Sequence, residues 1–215
     1  MQVDSAVELG RDDPALEMPW AAEDGSVHYC DIRKNPALVD TLPEAQRCSE
    51  MREFLIRANA AGFPLQTAKS DIWATTEISP EEEIFSAEWK FASYVDLLFS
   101  DALPRFSLQS HQQLVTKLCA LLQRAPDLPA SIEFVLRHCH YRGLGQSDSP
   151  QGAEIEAGHD ETVGGVTHES VGDSAIGFCV TSYVSGFGDT EDEARKRWSI
   201  ALKLLQHALV QAVSL

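Results

Sequence analysis

Two histidines two residues apart, His138 and His140, form the sharpest chemical pattern in the chain. On a β-strand, residues i and i+2 point to the same face, so the pair can offer two imidazole nitrogens to one metal ion. Zinc is the metal such a His-x-His pair suits, and metal-assisted hydrolysis is the reaction it would serve. A third ligand has to come from elsewhere: His111, His159, His168, or an acid such as Asp160 or Glu161. The competing reading is structural. Ile132, Phe134 and Leu136 precede the pair on the same face, so the histidines also fit a core strand emerging at its wet rim.

Other chemistries find less support. Cys139 sits between the two histidines and points away from both on a regular strand, so a Cys–His dyad would need a bulge. No serine lies in a Gly-x-Ser-x-Gly elbow. Gly143-Leu-Gly-Gln-Ser lacks the lysine of a phosphate loop, and Gly186-Phe-Gly-Asp lacks the third glycine of a dinucleotide turn. Glu81, Glu82 and Glu83 read as a solvated loop. Trp73 and Trp89 read as core aromatics on strands.

Charge narrows the partners. The 215 residues carry 33 acids against 17 bases, a formal net charge of −16. Such a surface repels phosphate backbones and anionic membranes, so nucleic acid and membrane are not expected partners. It suits solubility or a basic protein partner. Five widely spaced cysteines without a CxxC read as buried thiols of a reducing compartment. No segment reaches the roughly 18 apolar residues a membrane span needs, and the acidic N-terminus does not resemble a signal peptide. A cytoplasmic location is expected.

These residues need a frame to position them. Residues 1–25 hold scattered apolar residues among acids and are expected as a loose arm. Val27 to Ile32 fits a short strand. Thr41 and Glu44 have capping-box spacing before a helix that carries Met51, Phe54, Leu55 and Ala58. Ile72, Ala74, Thr76 and Ile78 alternate with polar or aromatic neighbours. Trp89, Phe91, Ser93, Val95, Leu97 and Phe99 mark one face of a second strand, with Lys90, Ala92, Tyr94 and Asp96 on the other. Ser110 and Gln113 then open a helix with Leu114, Val115, Leu118 and Leu122. Strands over 131–142 and 175–186 follow, and Thr190 and Glu193 cap a last helix through Trp198 and Leu205.

The expected fold is α+β in the order α-ββ-α-ββ-α. An antiparallel four- or five-stranded sheet packs helices on one face, within a single domain over 26–215. Between the last two strands lies a long connection, 143–174. Gly143 to Asp173 contains seven acids, seven glycines and no Lys or Arg. Connections longer than about 12–15 residues in compact domains are functional or disordered, and this acidic insert is expected to be mobile.

The segment Ser185-Gly-Phe-Gly-Asp-Thr-Glu-Asp-Glu-Ala194 resembles two known patterns. One is the strand–turn–helix end of double-stranded-RNA-binding domains. The other is the Gly-Asp-Thr-x-x-Glu-Ala turn of HicB-type antitoxins. RNA-binding versions resemble this turn but place lysines at the helix start. Here Glu191, Asp192 and Glu193 stand there, so the resemblance does not carry RNA binding with it. With no catalytic motif standing out, the leading expectation is a non-catalytic protein-binding domain, immunity- or antitoxin-like or regulatory, acting through an acidic surface. A metal-dependent hydrolase at His138 and His140 is the alternative. A small-molecule sensor with its pocket between sheet and helices is a third.

Overall fold

The computed structural model describes residues 1–142 and 174–213. Six strands form one mixed sheet: β1 (Gln2–Glu8), β2 (Leu16–Met18), β3 (Leu65–Thr75), β4 (Trp89–Phe99), β5 (Ala130–Arg142) and β6 (Ser174–Gly188). The order is β1-β5-β6-β4-β3, with β2 also paired to β5. Five α-helices accompany it: α1 (Pro43–Arg47), α2 (Ser49–Ala58), α3 (Ala102–Arg105), α4 (Leu108–Leu122) and α5 (Glu191–Val213).

This corrects the expected antiparallel four- or five-stranded sheet in α-ββ-α-ββ-α order. The hairpins β3–β4 and β5–β6 are antiparallel and meet through an antiparallel β4–β6 pair. The added strands, β1 and β2, run parallel to β5 and come from the segment expected as an arm. The acids that disguised β1 are tolerable on an edge strand. Asp4 lies where solvent reaches it, and Glu8 lies opposite Arg137 and pairs with it at 2.7 Å. The expected strand over Val27–Ile32 does not form; among the described residues that stretch makes only the isolated bridge Ala21–His28.

Helices α2, α4 and α5 cover one sheet face. Met51, Phe54 and Leu55 of α2, Leu118 of α4 and Trp198, Leu202 and Leu205 of α5 pack on Phe91, Val95, Ile132, Phe134, Val180 and Val184. Trp198 is fully buried and donates its indole N–H to Ser93 Oγ at 2.9 Å, which satisfies its one polar atom inside the core. Burying a large side chain of this kind contributes about 1.5–3 kcal/mol. The glycines of the turn-like motif serve this packing. A Cβ on Gly186 would lie 2.2 Å from Trp198 N, and one on Gly188 would lie 2.7 Å from Ala194 N. Only glycine lets α5 approach the β6 backbone so closely.

One of the three helix starts follows its sequence signal and two depart from it. Thr190 caps α5 as expected, accepting from Glu193 N at 3.3 Å. The cap of α4 is Ser107, three residues before the expected Ser110, whose N–H it accepts at 3.2 Å. Thr41 ends a 3-10 helix, and Glu44 makes no capping box but turns to Ser70 of β3.

Among the described residues only the short α3 reaches the opposite sheet face, where Arg105 lies over the Tyr141 ring at 5.1 Å. A second, smaller cluster packs there: Met18, Ala68, Leu98, Cys139, Tyr141 and Cys179, joined by Leu16, Trp20, Tyr29 and Phe106. The chain from β2 to Tyr29 thus crosses that face without regular structure beyond β2. No helix among the described residues is long and apolar enough to cross a membrane.

Candidate functional site

The uncovered part of this second face holds the candidate site. It begins at an irregularity in edge strand β3, where the register against β4 shifts between Thr67 and Ser70. Such bulges re-aim side chains and often adjoin functional sites. Within the shift, the Ala68 carbonyl accepts the Trp20 indole N–H at 2.8 Å, which pins the N-terminal segment to the sheet. Lys69 projects from the same shift, with Nζ 5.4 Å from the centre of the Trp20 ring.

A cavity of about 670 Å³ opens along β3 here. Its walls are the segment from Ala15 to Cys30 and the turn from Thr41 to Glu44, and it reaches Tyr94 on β4. A second hollow of about 210 Å³ continues across the open face to Asp96, Arg137, Thr181 and Tyr183. Ala15, Leu16, Lys69 and Tyr94 line both, so the two hollows adjoin and are described together as one cleft.

Strand alternation supplies the polar floor. Tyr94 and Asp96 of β4, Thr181 and Tyr183 of β6, and Arg137 of β5 all face this side. Thr181 Oγ1 donates to Asp96 Oδ1 at 2.6 Å. Arg137 Nη1 donates to Tyr183 OH at 3.1 Å and to Thr181 Oγ1 at 3.3 Å. Arg137 Nε donates to Glu8 Oε2 at 2.7 Å, so its charge is already matched. Burial pushes the Asp96 carboxyl above its ordinary value, although the Thr181 bond, Arg137 and Lys69 pull it down. The Tyr94 phenol is also raised, first by burial and then by the negative charges of Asp96, Asp71 and Glu44.

His138 and His140 share one strand face as expected, but it is the helix-facing side, away from this cleft. His138 stacks on Phe178 at 5.6 Å, and His140 sits opposite the exposed Ile176 at the sheet end. His111 of α4 lies on the same Phe178 ring at 5.6 Å, and its Nδ1 donates to the Ser107 carbonyl at 2.8 Å. Burial lowers its pKa and keeps the imidazole neutral. Among the described residues no group of three or more His, Cys, Asp or Glu is placed to hold a metal ion. His159, Asp160, Glu161 and His168, with the rest of 143–173, lie outside the described residues.

The β5–β6 ladder runs unbroken through Cys139, so no bulge brings that thiol to its histidine neighbours. Burial pushes the Cys139 thiol up to about 12, which leaves it protonated and inert near neutral pH. Trp89 packs on the core as expected, and Trp73 lies 6.4 Å from Tyr94 on the open face.

Glu44, Lys69, Tyr94, Asp96, Arg137 and Thr181 belong to no catalytic or binding motif of the sequence. Their trace in the sequence is slight: Asp96 and Arg137 sit at polar positions of alternating strands that also carry Lys90, Glu133 and Arg142. Chemically the cleft offers aromatic walls, carboxylates and hydroxyls. No protein-family model matches this chain, and no curated protein or solved structure matches it.

Proposed function

We propose that this chain is a non-catalytic binding domain whose ligand sits in the cleft along β3. The carrying observation is the cavity itself: about 670 Å³ between the bulged strand and the crossing N-terminal segment. Ligand pockets commonly enclose about 300–1,000 Å³, with mostly apolar walls and a few convergent polar groups. Trp20, Leu16 and Tyr94 supply the former here, and Glu44, Lys69 and Asp71 the latter.

A thermal-shift screen across amines, amino acids, nucleotides, sugars and organic acids tests this reading. One class should stabilise the wild-type chain. Ala15→Trp, which places bulk where the two hollows join, should abolish the effect while leaving the fold intact by circular dichroism. Equal stabilisation of Ala15→Trp, or none by any class, would count against the cleft.

A basic protein partner is the second reading, favoured by the net charge of −16. Its binding should weaken steeply with salt, because exposed charges are screened within about 8 Å at physiological ionic strength. A salt-insensitive partner would refute it. Zinc at His138 and His140 stands as a separate proposal. Near-stoichiometric zinc in protein purified without chelator, lost in His138→Ala, would support it, and zinc-free protein would sink it.

A further inference from the structure

We infer that the cleft recognises a small organic cation, an ammonium or guanidinium group carried on an apolar stem. This rests on the cleft being the ligand site, and it adds the class of ligand. Five of the six charged residues that decide it are acids or already neutralised. Glu17 is spent on Arg142 at 2.6 Å, and Arg137 on Glu8 at 2.7 Å. That leaves Glu44, Asp71 and Asp96 facing one lysine, Lys69.

Two of those carboxylates are more than nine-tenths buried, each only 7% exposed. Each is met at one oxygen by a hydroxyl: Ser70 Oγ donates to Glu44 Oε1 at 2.5 Å, and Thr181 Oγ1 to Asp96 Oδ1 at 2.6 Å. Neither forms an ion pair, and neither has a further hydrogen bond to its second oxygen among the described residues. A buried carboxylate without a cation is costly, because its lost hydration is replaced only in part. A bound cation would complete both.

The walls fit the same guest. Lys69 Nζ already lies 5.4 Å from the Trp20 ring centre, so this aromatic wall receives an ammonium within the chain itself. Tyr94, between Glu44, Asp71 and Asp96, offers a second ring. The acids do not converge on a point, since no group of three is placed to hold a metal ion among the described residues. An extended organic cation can reach separated carboxylates where a bare ion cannot. A phosphate or carboxylate ligand would meet repulsion, with Lys69 alone to offset it.

Calorimetric titration with putrescine, spermidine, agmatine and a capped Lys-containing tripeptide tests the inference. At least one should bind the wild-type chain. A hydrogen bond to a charged group contributes about 1.5–3 kcal/mol, so Glu44→Gln and Asp96→Asn should each weaken binding by roughly ten- to a hundredfold. Both substitutions keep shape, and circular dichroism confirms folding. Glu83→Gln removes an equal charge from an exposed turn elsewhere and should change affinity by less than about twofold. Free amines binding better than the tripeptide would assign a free metabolite; the reverse would assign a basic side chain. Undiminished amine binding in the Glu44→Gln/Asp96→Asn double variant would overturn the inference. So would a wild-type chain that binds no amine. If another ligand class then stabilised the chain and Ala15→Trp abolished that, the cleft would remain the ligand site without the cation.

Discussion

Gly186→Ala puts the packing of α5 under direct test. A methyl group there would lie 2.2 Å from Trp198 N, 2.3 Å from the Ala194 carbonyl oxygen and 2.8 Å from Trp198 Cα. Carbon contacts settle at about 3.5–4.0 Å, so helix and strand must separate by about 1 Å. The opposing atoms are helix backbone and cannot rotate aside as a flexible side chain would. A gap of that size forfeits a quarter to a half of each dispersion contact it opens. Nine buried residues of α5 share the displacement, Trp198 and its bond to Ser93 among them. Overpacking generally costs about 1–3 kcal/mol, and the rigid contact puts this site at or above about 3 kcal/mol. For a domain of this size that lowers Tm by roughly 6–12 °C. Urea unfolding followed by circular dichroism should show a lower midpoint with an unchanged slope. Gly25→Ala is the control: nothing lies within 4 Å of its added methyl, and only its φ of +70° resists substitution. That costs about 1–2 kcal/mol. A Gly186→Ala loss below 1 kcal/mol, or below that of Gly25→Ala, would refute the close-approach reasoning.

Asp96→Asn should stabilise the ligand-free chain at pH 7. The folded-state carboxyl is raised by burial, so the folded chain binds the proton more tightly than the unfolded one, and stability falls as pH rises through that window. The advantage of the variant should therefore shrink as pH is lowered towards about 4, the value of an unfolded Asp; a pH-independent difference would refute it. His111 has the opposite sense. Its folded value is depressed by burial, so stability is full above about 6.5 and is lost as pH falls below it. His111→Leu should flatten the urea-midpoint profile between pH 5 and 7, and an unchanged slope would count against it. Arg137→Met removes the 2.7 Å pair with Glu8 and the bonds to Thr181 and Tyr183. A cost of about 1–3 kcal/mol is expected, with hydrogen exchange accelerated in Gln2–Glu8 before β3; equal acceleration in both strands would refute the local effect.

The two strand pairs and the helices that follow them were legible because their periods are strong. Phe91 to Phe99 alternates cleanly, and Leu114, Leu118 and Leu122 keep one helical face. The parallel strands were not. Val3, Ser5 and Val7 alternate with Asp4 and Glu8, a pattern equally suited to an exposed arm, and what makes it a strand is an unpaired edge of β5. Nothing local encodes that edge. The cleft was hidden for the same reason. Glu44 has capping-box spacing from Thr41, yet it turns to Ser70 instead. Asp96 alternates as a solvent-facing residue should, yet in the fold it is buried, and the hollow beside it is walled by Pro14, Ala15 and Leu16. The His-x-His pair was conspicuous because its members are neighbours in the chain, which says little about what meets them in space.

The parallel pairing of β1 and β2 with β5 also sets an order of events. Glu8 and Arg137 are 129 residues apart, whereas β3 and β4 close a short hairpin on their own. Long-range pairings are delayed by the entropy of closing the intervening chain. During synthesis the N-terminal strands emerge first and wait for β5, while the hairpin and its helices collapse without them. The cleft, roofed by the segment that follows β2, is therefore among the last parts to assemble. A ligand bound there recognises only the finished chain, and by mass action it draws late intermediates towards it. Occupancy of the cleft would then report that folding is complete, in addition to whatever the ligand itself signals.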